Sequence, residues 1–291
     1  MKRTLSIVLA LIMALSLFTL AGCSSNGGST PSNSSASGAG TEDDPWLCGA
    51  TDADNVQVFV VNNELWVTGS GNMADFEDEA SRPWNDVAAD LDAVNVFDDI
   101  TGIGANAFKG CGVNSDCFDV FLSSTIVTIG DSAFEGVNFC DTCIITLPEC
   151  IERIGARAFA DSTLTRIDFN GTPAEIADDA FANVTAEFQV NYDSDWNDSN
   201  KLPYGGEITY TDRFGFAYEE DYGTDEVSGS GSMYIPDGEE LNYTAESCEE
   251  GYHFVRWEVV SGDITIDDPT NPELTIVLTE NVSVRIIFAA D

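Results

Sequence analysis

One phrase, written four times, constrains this chain more than any other feature. Ile103-Gly104-Ala105-Asn106-Ala107-Phe108 returns as Ile129-Gly130-Asp131-Ser132-Ala133-Phe134 and as Ile154-Gly155-Ala156-Arg157-Ala158-Phe159. A looser copy is Ile176-Ala177-Asp178-Asp179-Ala180-Phe181. The Phe residues stand 26, 25 and 22 positions apart. A unit that short cannot bury its own apolar face and must stack on its neighbours. Within each turn, Ile is expected to point inward at a bend. Gly tolerates the positive φ that a tight turn requires. Ala lets backbones approach closely, and Phe fills the interior with a large apolar body. The four Phe side chains are expected to form one column. Ala177 stands where the other copies have Gly, so the last bend is expected to differ.

A period of this size is the sequence sign of leucine-rich-type repeats. The expected fold is therefore a repeat solenoid of leucine-rich-repeat type, with short parallel strands joined by turns and short helices. Strands are expected over 94–97, 118–122, 144–147, 164–169 and 187–190. Ahead of them, 54–76 reads as a hairpin. Val56, Val58 and Val60 alternate with Gln57 and Phe59, Asn62-Asn63 makes the turn, and Leu65 and Val67 resume the alternation. This hairpin is placed to cover the apolar end of the first repeat. Arg82-Pro83-Trp84-Asn85 begins an expected short helix that runs to Leu91.

Residues 45 to about 210 resemble the BspA-like leucine-rich repeat family of bacterial surface proteins. The Ile-Gly-x-x-Ala-Phe phrases carry the resemblance, with Gly69-Ser70-Gly71-Asn72-Met73 and Pro83-Trp84. Tyr204-Gly205-Gly206-Glu207-Ile208-Thr209-Tyr210 is similar to the strand that closes such arrays. The short fourth repeat and its missing Gly depart from the pattern. The resemblance implies a right-handed solenoid with a parallel sheet on one face. It also implies surface display and, in some members, adhesion to host or bacterial proteins. It supplies no catalytic residues.

Residues 212–291 change character and are expected to form a small β-rich domain. Gly251-Tyr252-His253-Phe254-Val255-Arg256-Trp257 and the alternating Asn281-Val282-Ser283-Val284-Arg285-Ile286-Ile287-Phe288 resemble the divergent internalin B-repeat module. That resemblance places Tyr252, Phe254 and Trp257 in the module's core.

The first 22 residues stand apart from the fold. Met1-Lys2-Arg3 is basic, 4–20 is almost wholly apolar, and Leu20-Ala21-Gly22-Cys23 follows. A basic start, a short apolar run and small residues make a secretion signal and not a mature membrane span. The last four residues resemble the lipobox of bacterial lipoproteins, which implies cleavage before Cys23 and lipidation of that residue. The expected location is the outer face of the bacterial cell membrane, lipid-anchored. Residues 23–44 are read as the lipidated Cys23 and a flexible Ser/Gly linker, because 24–41 hold no long apolar side chain. The domains are then 1–22 leader, 23–44 linker, 45–211 hairpin and solenoid, and 212–291 β module.

Charge narrows the partners. The chain carries 51 acidic and 11 basic residues, a formal net charge of −40. Nucleic acid, whose binding depends on basic side chains neutralising phosphates, is excluded. Cations or basic partners are favoured, although an acid-rich genome gives the same bias without any partner.

Chemistry is sparse. Beyond Cys23 stand Cys48, Cys111, Cys117, Cys140, Cys143, Cys150 and Cys248, an odd number. Cys140-x-x-Cys143 looks like half a zinc knuckle or a redox pair, but the only His is His253, in the other domain. Counted from the Phe of each repeat, Cys117 and Cys143 both fall nine residues on. That count sets them about one strand spacing apart, roughly 4.8 Å, within disulfide reach. Counted from the following Ile, they are off by one. A disulfide in this cluster and buried free thiols both stay open. Asp193-Ser194-Asp195-Trp196-Asn197-Asp198 opens like a calcium loop but lacks the Gly and the closing Glu of an EF-hand. His253 is the only candidate base near neutral pH, and it sits inside the aromatic phrase. No catalytic residue, cofactor or metal is expected. The reading is a lipid-anchored surface protein for recognition or adhesion, with host or bacterial surface proteins as partners. A structural envelope protein and a solute-binding lipoprotein are the alternatives.

Overall fold

The computed structural model describes residues 38–191, 196, 201–223, 229–247 and 249–291. The leader, the proposed lipidation residue Cys23, most of the linker, the Asp193–Asp198 loop apart from Trp196, and Cys248 lie outside the described residues.

The chain enters through β1 (Trp46–Leu47), β2 (Val56–Val61) and β3 (Glu64–Asn72). Alternation buries Val56, Val58, Leu65 and Val67 completely. Asn62 and Asn63 have φ of 51° and 65°, the left-handed pair that a two-residue hairpin turn needs. The repeats then contribute β4 (Ala93–Val96), β5 (Asp99–Ile103), β6 (Asp119–Phe121), β7 (Thr128–Ile129), β8 (Ile145–Leu147), β9 (Arg153–Ile154), β10 (Arg166–Phe169), β11 (Glu175–Ile176) and β12 (Thr185–Asn191).

These strands form two sets of parallel pairings. The first half of β3 pairs with β4, and β4 with β6. The second half of β3 pairs with β5, and the ladder continues through β7, β9 and β11. Further along, β8, β10 and β12 pair in parallel. Between β6 and β8 the link is an isolated parallel bridge, Phe118 to Phe139. The ladder through the Ile-Gly positions is an addition to the expected single sheet. Each repeat is pinned at two strands, so the Ile-Gly phrase is the end of a strand as well as a bend.

The phrase works differently from expectation at its Gly. Gly104, Gly130 and Gly155 do not have positive φ. They are required by proximity instead. A Cβ would stand 1.9 Å from the Ala74 carbonyl oxygen at Gly104, 2.6 Å from the Ala105 nitrogen at Gly130, and 2.3 Å from Asp131 Oδ1 at Gly155. The left-handed residues fall two positions before each Phe, at Asn106, Ser132 and Arg157, with φ of 57°, 54° and 54°. A second set falls two positions after it, at Gly110, Gly136, Asp161 and Asn183. The last copy does differ, because Asp179 is not left-handed. The layer above it is Tyr204-Gly205 and not another phrase, since the Phe181 N–H donates to the Tyr204 carbonyl.

The Phe column is continuous. Ring centroids run from Trp84 to Phe108, Phe134, Phe159, Phe181 and Phe188 at 6.3, 5.3, 5.2, 5.1 and 4.8 Å. All six side chains are fully buried in one hydrophobic cluster reaching from Cys48 to Tyr210. Beside the column, the N–H groups of Phe108, Phe134 and Phe159 donate to the carbonyl of the Ala before the next Phe, at 2.8, 2.7 and 2.8 Å. The helix expected from Arg82 is instead two 3-10 turns, Glu79–Ser81 and Ala88–Asp90. The side chains of Arg82 and Trp84 both donate to the Ala107 carbonyl, at 3.3 and 3.0 Å, and hold this segment over the first repeat.

The second module contains β13 (Glu207–Asp221), β14 (Gly229–Pro236), β15 (Glu240–Thr244), β16 (Tyr252–Ser261), β17 (Glu273–Val277) and β18 (Val282–Ala290). Strand β13 is 15 residues long. Its first half pairs in parallel with β12, and its second half pairs with β14 and β18. The boundary expected between 211 and 212 falls inside it. Side chains divide there too: Tyr210 packs on the repeat cluster, and Phe214 opens a second cluster. Trp257 is buried in that second core, with Tyr252 and Phe254 half-buried against it.

Candidate recognition face

Alternation along a strand sends every second side chain away from the core. In β2, β3, β4 and β6 the strand register aligns the outward residues Phe59, Trp66, Asn95 and Phe121 in one row. Phe97, just past β4, stands beside it, its N–H donated to the Val67 carbonyl at 3.0 Å. The Phe59 and Trp66 rings stack with centroids 6.5 Å apart, and the Trp66 and Phe97 rings at 5.4 Å. Phe97 is 41% exposed and Phe121 55%, so this edge of the row is uncovered. Ile144, immediately before β8, is also exposed. The Trp66 indole N–H is covered and has no hydrogen-bond acceptor.

Carboxylates border the row. Glu64 and Asp119 occupy the neighbouring register position, on either side of Ala93. Asp98 and Asp99 follow Phe97 and are exposed. Glu64 accepts from the Asn95 amide at 3.2 Å, and Asp98 from the Gly69 N–H at 3.2 Å. Among the described residues, basic side chains do not neutralise this border, because they are committed elsewhere. Lys109 joins Glu79 and Glu135, Arg153 joins Asp131, and Arg157 joins Glu135 and Asp161, in each case tying one repeat to another or closing a turn. Arg166, Lys201, Arg213, Arg256 and Arg285 also pair with carboxylates.

The outward positions of β10, β12 and β13 are different. Asp168 receives both Arg166, at 2.7 Å, and Arg213, at 3.0 Å. Arg213 further donates to the Phe169 carbonyl, Asn170 and Asn191 at 2.8, 3.0 and 2.9 Å. Asp168, Gln189, Asn191 and Arg213 are all buried. Desolvation by burial pulls the Arg213 guanidinium below its ordinary value, and the Asp168 charge opposes that.

The cysteine cluster resolves into one disulfide, Cys117–Cys140, with Cα atoms 4.4 Å apart. The partner is Cys140 and not Cys143. The bridge from Phe118 to Phe139 sets this register, and the Cys140 N–H donates to the Phe118 carbonyl at 3.0 Å. Counting from Phe misleads because the loops after Phe108 and Phe134 differ in course. Cys48, Cys111 and Cys143 are buried free thiols. Burial pushes the first two up to about 12 and Cys143 up to about 11. His253 is exposed, its Nδ1 2.8 Å from Asp291 Oδ1.

Residues 87–198 match the family described as BspA type leucine-rich repeat region, in six copies. All four written phrases lie inside the match, and the hairpin before it lies outside. The solved structure of a leucine-rich repeat protein from Eubacterium ventriosum is 21% identical, with a TM-score of 0.34. The alignment covers 45% of this chain and 42% of that one, so the chain spans less than half the length of this relative. No curated protein matches the chain.

Proposed function

We propose that this is a protein-recognition molecule displayed on a bacterial cell surface, binding through the aromatic row of its first repeats. The observation that carries the reading is the uncovered edge of the row, Phe97 and Phe121 beside the half-buried Trp66, within a border of carboxylates. Aromatic side chains are the commonest anchors of protein interfaces. The leucine-rich-repeat region supports the same reading, because such a repeat domain implies a scaffold for protein interaction. The stacked parallel strands and the Phe column support a solenoid, which holds the row rigid before a partner arrives. Partners with apolar side chains beside Lys or Arg complement both the rings and the acidic border. Adhesion to host or bacterial surface proteins is the form of recognition we infer. Anchoring through Cys23 rests on the lipobox-like sequence, and the internalin-like module serves as a spacer or second contact. The reading assigns the chain no catalytic step.

The test is saturable binding of the fragment from Asp44 onward to cells and to immobilised basic proteins. Binding that falls when Phe97 and Phe121 become Ser supports the reading. Binding that is unaffected, or no saturable binding across a broad panel, removes it. Metabolic labelling with a radioactive fatty acid, lost in Cys23→Ser, tests the anchor separately.

A further inference from the structure

We propose that Cys117, Asp119, Cys140 and Cys143 form a redox-gated site for a thiophilic divalent cation of the zinc type. In sequence, Cys140-x-x-Cys143 is half of a tetrahedral donor set. The fold brings up the other half from the preceding repeat. Cys117 and Asp119 flank Phe118, which is bridged to Phe139, so a Cys-x-Asp pair lies beside the Cys-x-x-Cys turn. One sulfur each from Cys117 and Cys140 and a carboxylate oxygen of Asp119 lie within 4.8 Å of one another. Cys143, three residues beyond Cys140, is a buried free thiol. The Cys143 N–H donates to the Cys140 carbonyl at 3.0 Å, closing a turn that holds these two residues together. Asp119 is therefore a neighbour of the Cys117 and Cys140 sulfurs, and the turn keeps Cys143 next to Cys140. A tetrahedral zinc centre with bonds of about 2.3 Å sets its sulfurs roughly 3.8 Å apart, so the Cys117 and Cys140 sulfurs, bonded to each other here, have to separate before they can share a cation.

Two of the four donors are committed to the Cys117–Cys140 disulfide, so the site opens on reduction. A phosphine or a dithiol supplies two electrons to the sulfur–sulfur bond. Both sulfurs become thiols, and the reductant ends as phosphine oxide, taking its oxygen from water, or as a cyclic disulfide. The cation then displaces three thiol protons to solvent and takes three thiolates and the Asp119 carboxylate. Either state ties the same two repeats together, one by a covalent bond and the other by a metal. This proposal stands apart from the recognition reading and survives its failure.

The experiment uses the full chain, with and without a phosphine, titrated with Zn²⁺ and with Co²⁺ as a spectroscopic probe. The expected result is one Zn²⁺ per reduced chain and none on the oxidised chain. Co²⁺ should give sulfur-to-metal charge-transfer bands and a tetrahedral visible spectrum. Cys117→Ser and Cys143→Ser should each weaken binding by at least about 100-fold, and Asp119→Asn by at least about 10-fold. Cys150→Ser, half-buried elsewhere, should leave it unchanged. Reduced chain that binds no stoichiometric metal overturns the proposal. So does binding that persists in both Cys117→Ser and Cys143→Ser, because the metal then sits on other cysteines. Circular dichroism of each variant identifies any that fails to fold, and Asp119→Asn then carries the test.

Discussion

Two stretches of outward-facing strand residues, built on the same kind of repeat, are finished in opposite ways. Across β2, β3, β4 and β6 the row is aromatic apart from the buried Asn95, and one edge is open to solvent. Across β10, β12 and β13 the row is polar, buried and bonded to itself through Arg213 and Asp168. The interiors do not differ in this way, since the Phe column passes beneath both. The contrast teaches that the core fixes the stack while the outer row is free to vary. One row is closed against the second module, and the other keeps an edge open to solvent.

The largest effect should come from breaking the closed row. Arg213→Ala removes the buried guanidinium that ties Asp168 to the Phe169 carbonyl, Asn170 and Asn191 while Arg166 keeps its hold on Asp168, and losing these charged hydrogen bonds costs about 3 kcal/mol. Urea unfolding should show that loss, while partner binding by the remaining folded chain is unchanged. A change of under about 1 kcal/mol would mean that the closed row adds no stability.

The open row should respond in the reverse sense. Phe121→Ser should weaken binding by about 2 kcal/mol or more if Phe121 anchors the partner. Folding stability should move by only about 0.5 kcal/mol, because the residue is mostly exposed. Equal effects on binding and stability would erase the distinction between the two rows. A further expectation concerns salt. Partner affinity should fall as ionic strength rises, because the border is acidic and its charges are exposed. Measuring affinity at two salt concentrations checks this, and a flat response would assign binding to the rings alone.

The smallest effect should come from the ion pairs that tie one repeat to the next, at Glu135. Its carboxyl is depressed overall: desolvation pushes it up, but hydrogen bonds from Arg157 and Ser132 and the Lys109 charge pull it further down. A depressed acid adds stability above its unfolded value, here 4.5, and that stability is lost as pH falls through the folded value. Glu135→Gln should therefore be less stable than the parent at pH 7 by under about 1 kcal/mol. The gap should close as the solution is acidified below about pH 4.5. A gap that widens on acidification would contradict the ion-pair assignment.

The column and the hairpin were legible because large apolar residues recur at fixed steps and because Asn62-Asn63 marks a turn. The second ladder was not legible, since strands such as Thr128–Ile129 are two residues long and leave no alternation to read. Gly104, Gly130 and Gly155 were assigned to turn conformation, when the neighbouring repeat's backbone decides them. No single copy of the phrase contains that information. The open row did leave a signal. Phe59 stands out of phase with Val58 and Val60, and an aromatic residue on the polar phase of a strand points outward. Cys117–Cys140 depended on where two unequal loops cross, which spacing does not encode.

Strand β13 runs through one continuous sheet, its main chain hydrogen-bonded on one side to β12 and then, farther along, to β18. A tug applied along this strand would load those bonds in shear, many at once, instead of peeling them one by one. The junction should therefore behave as a beam and not as a hinge, so that whatever the second module grips keeps a set bearing relative to the repeats.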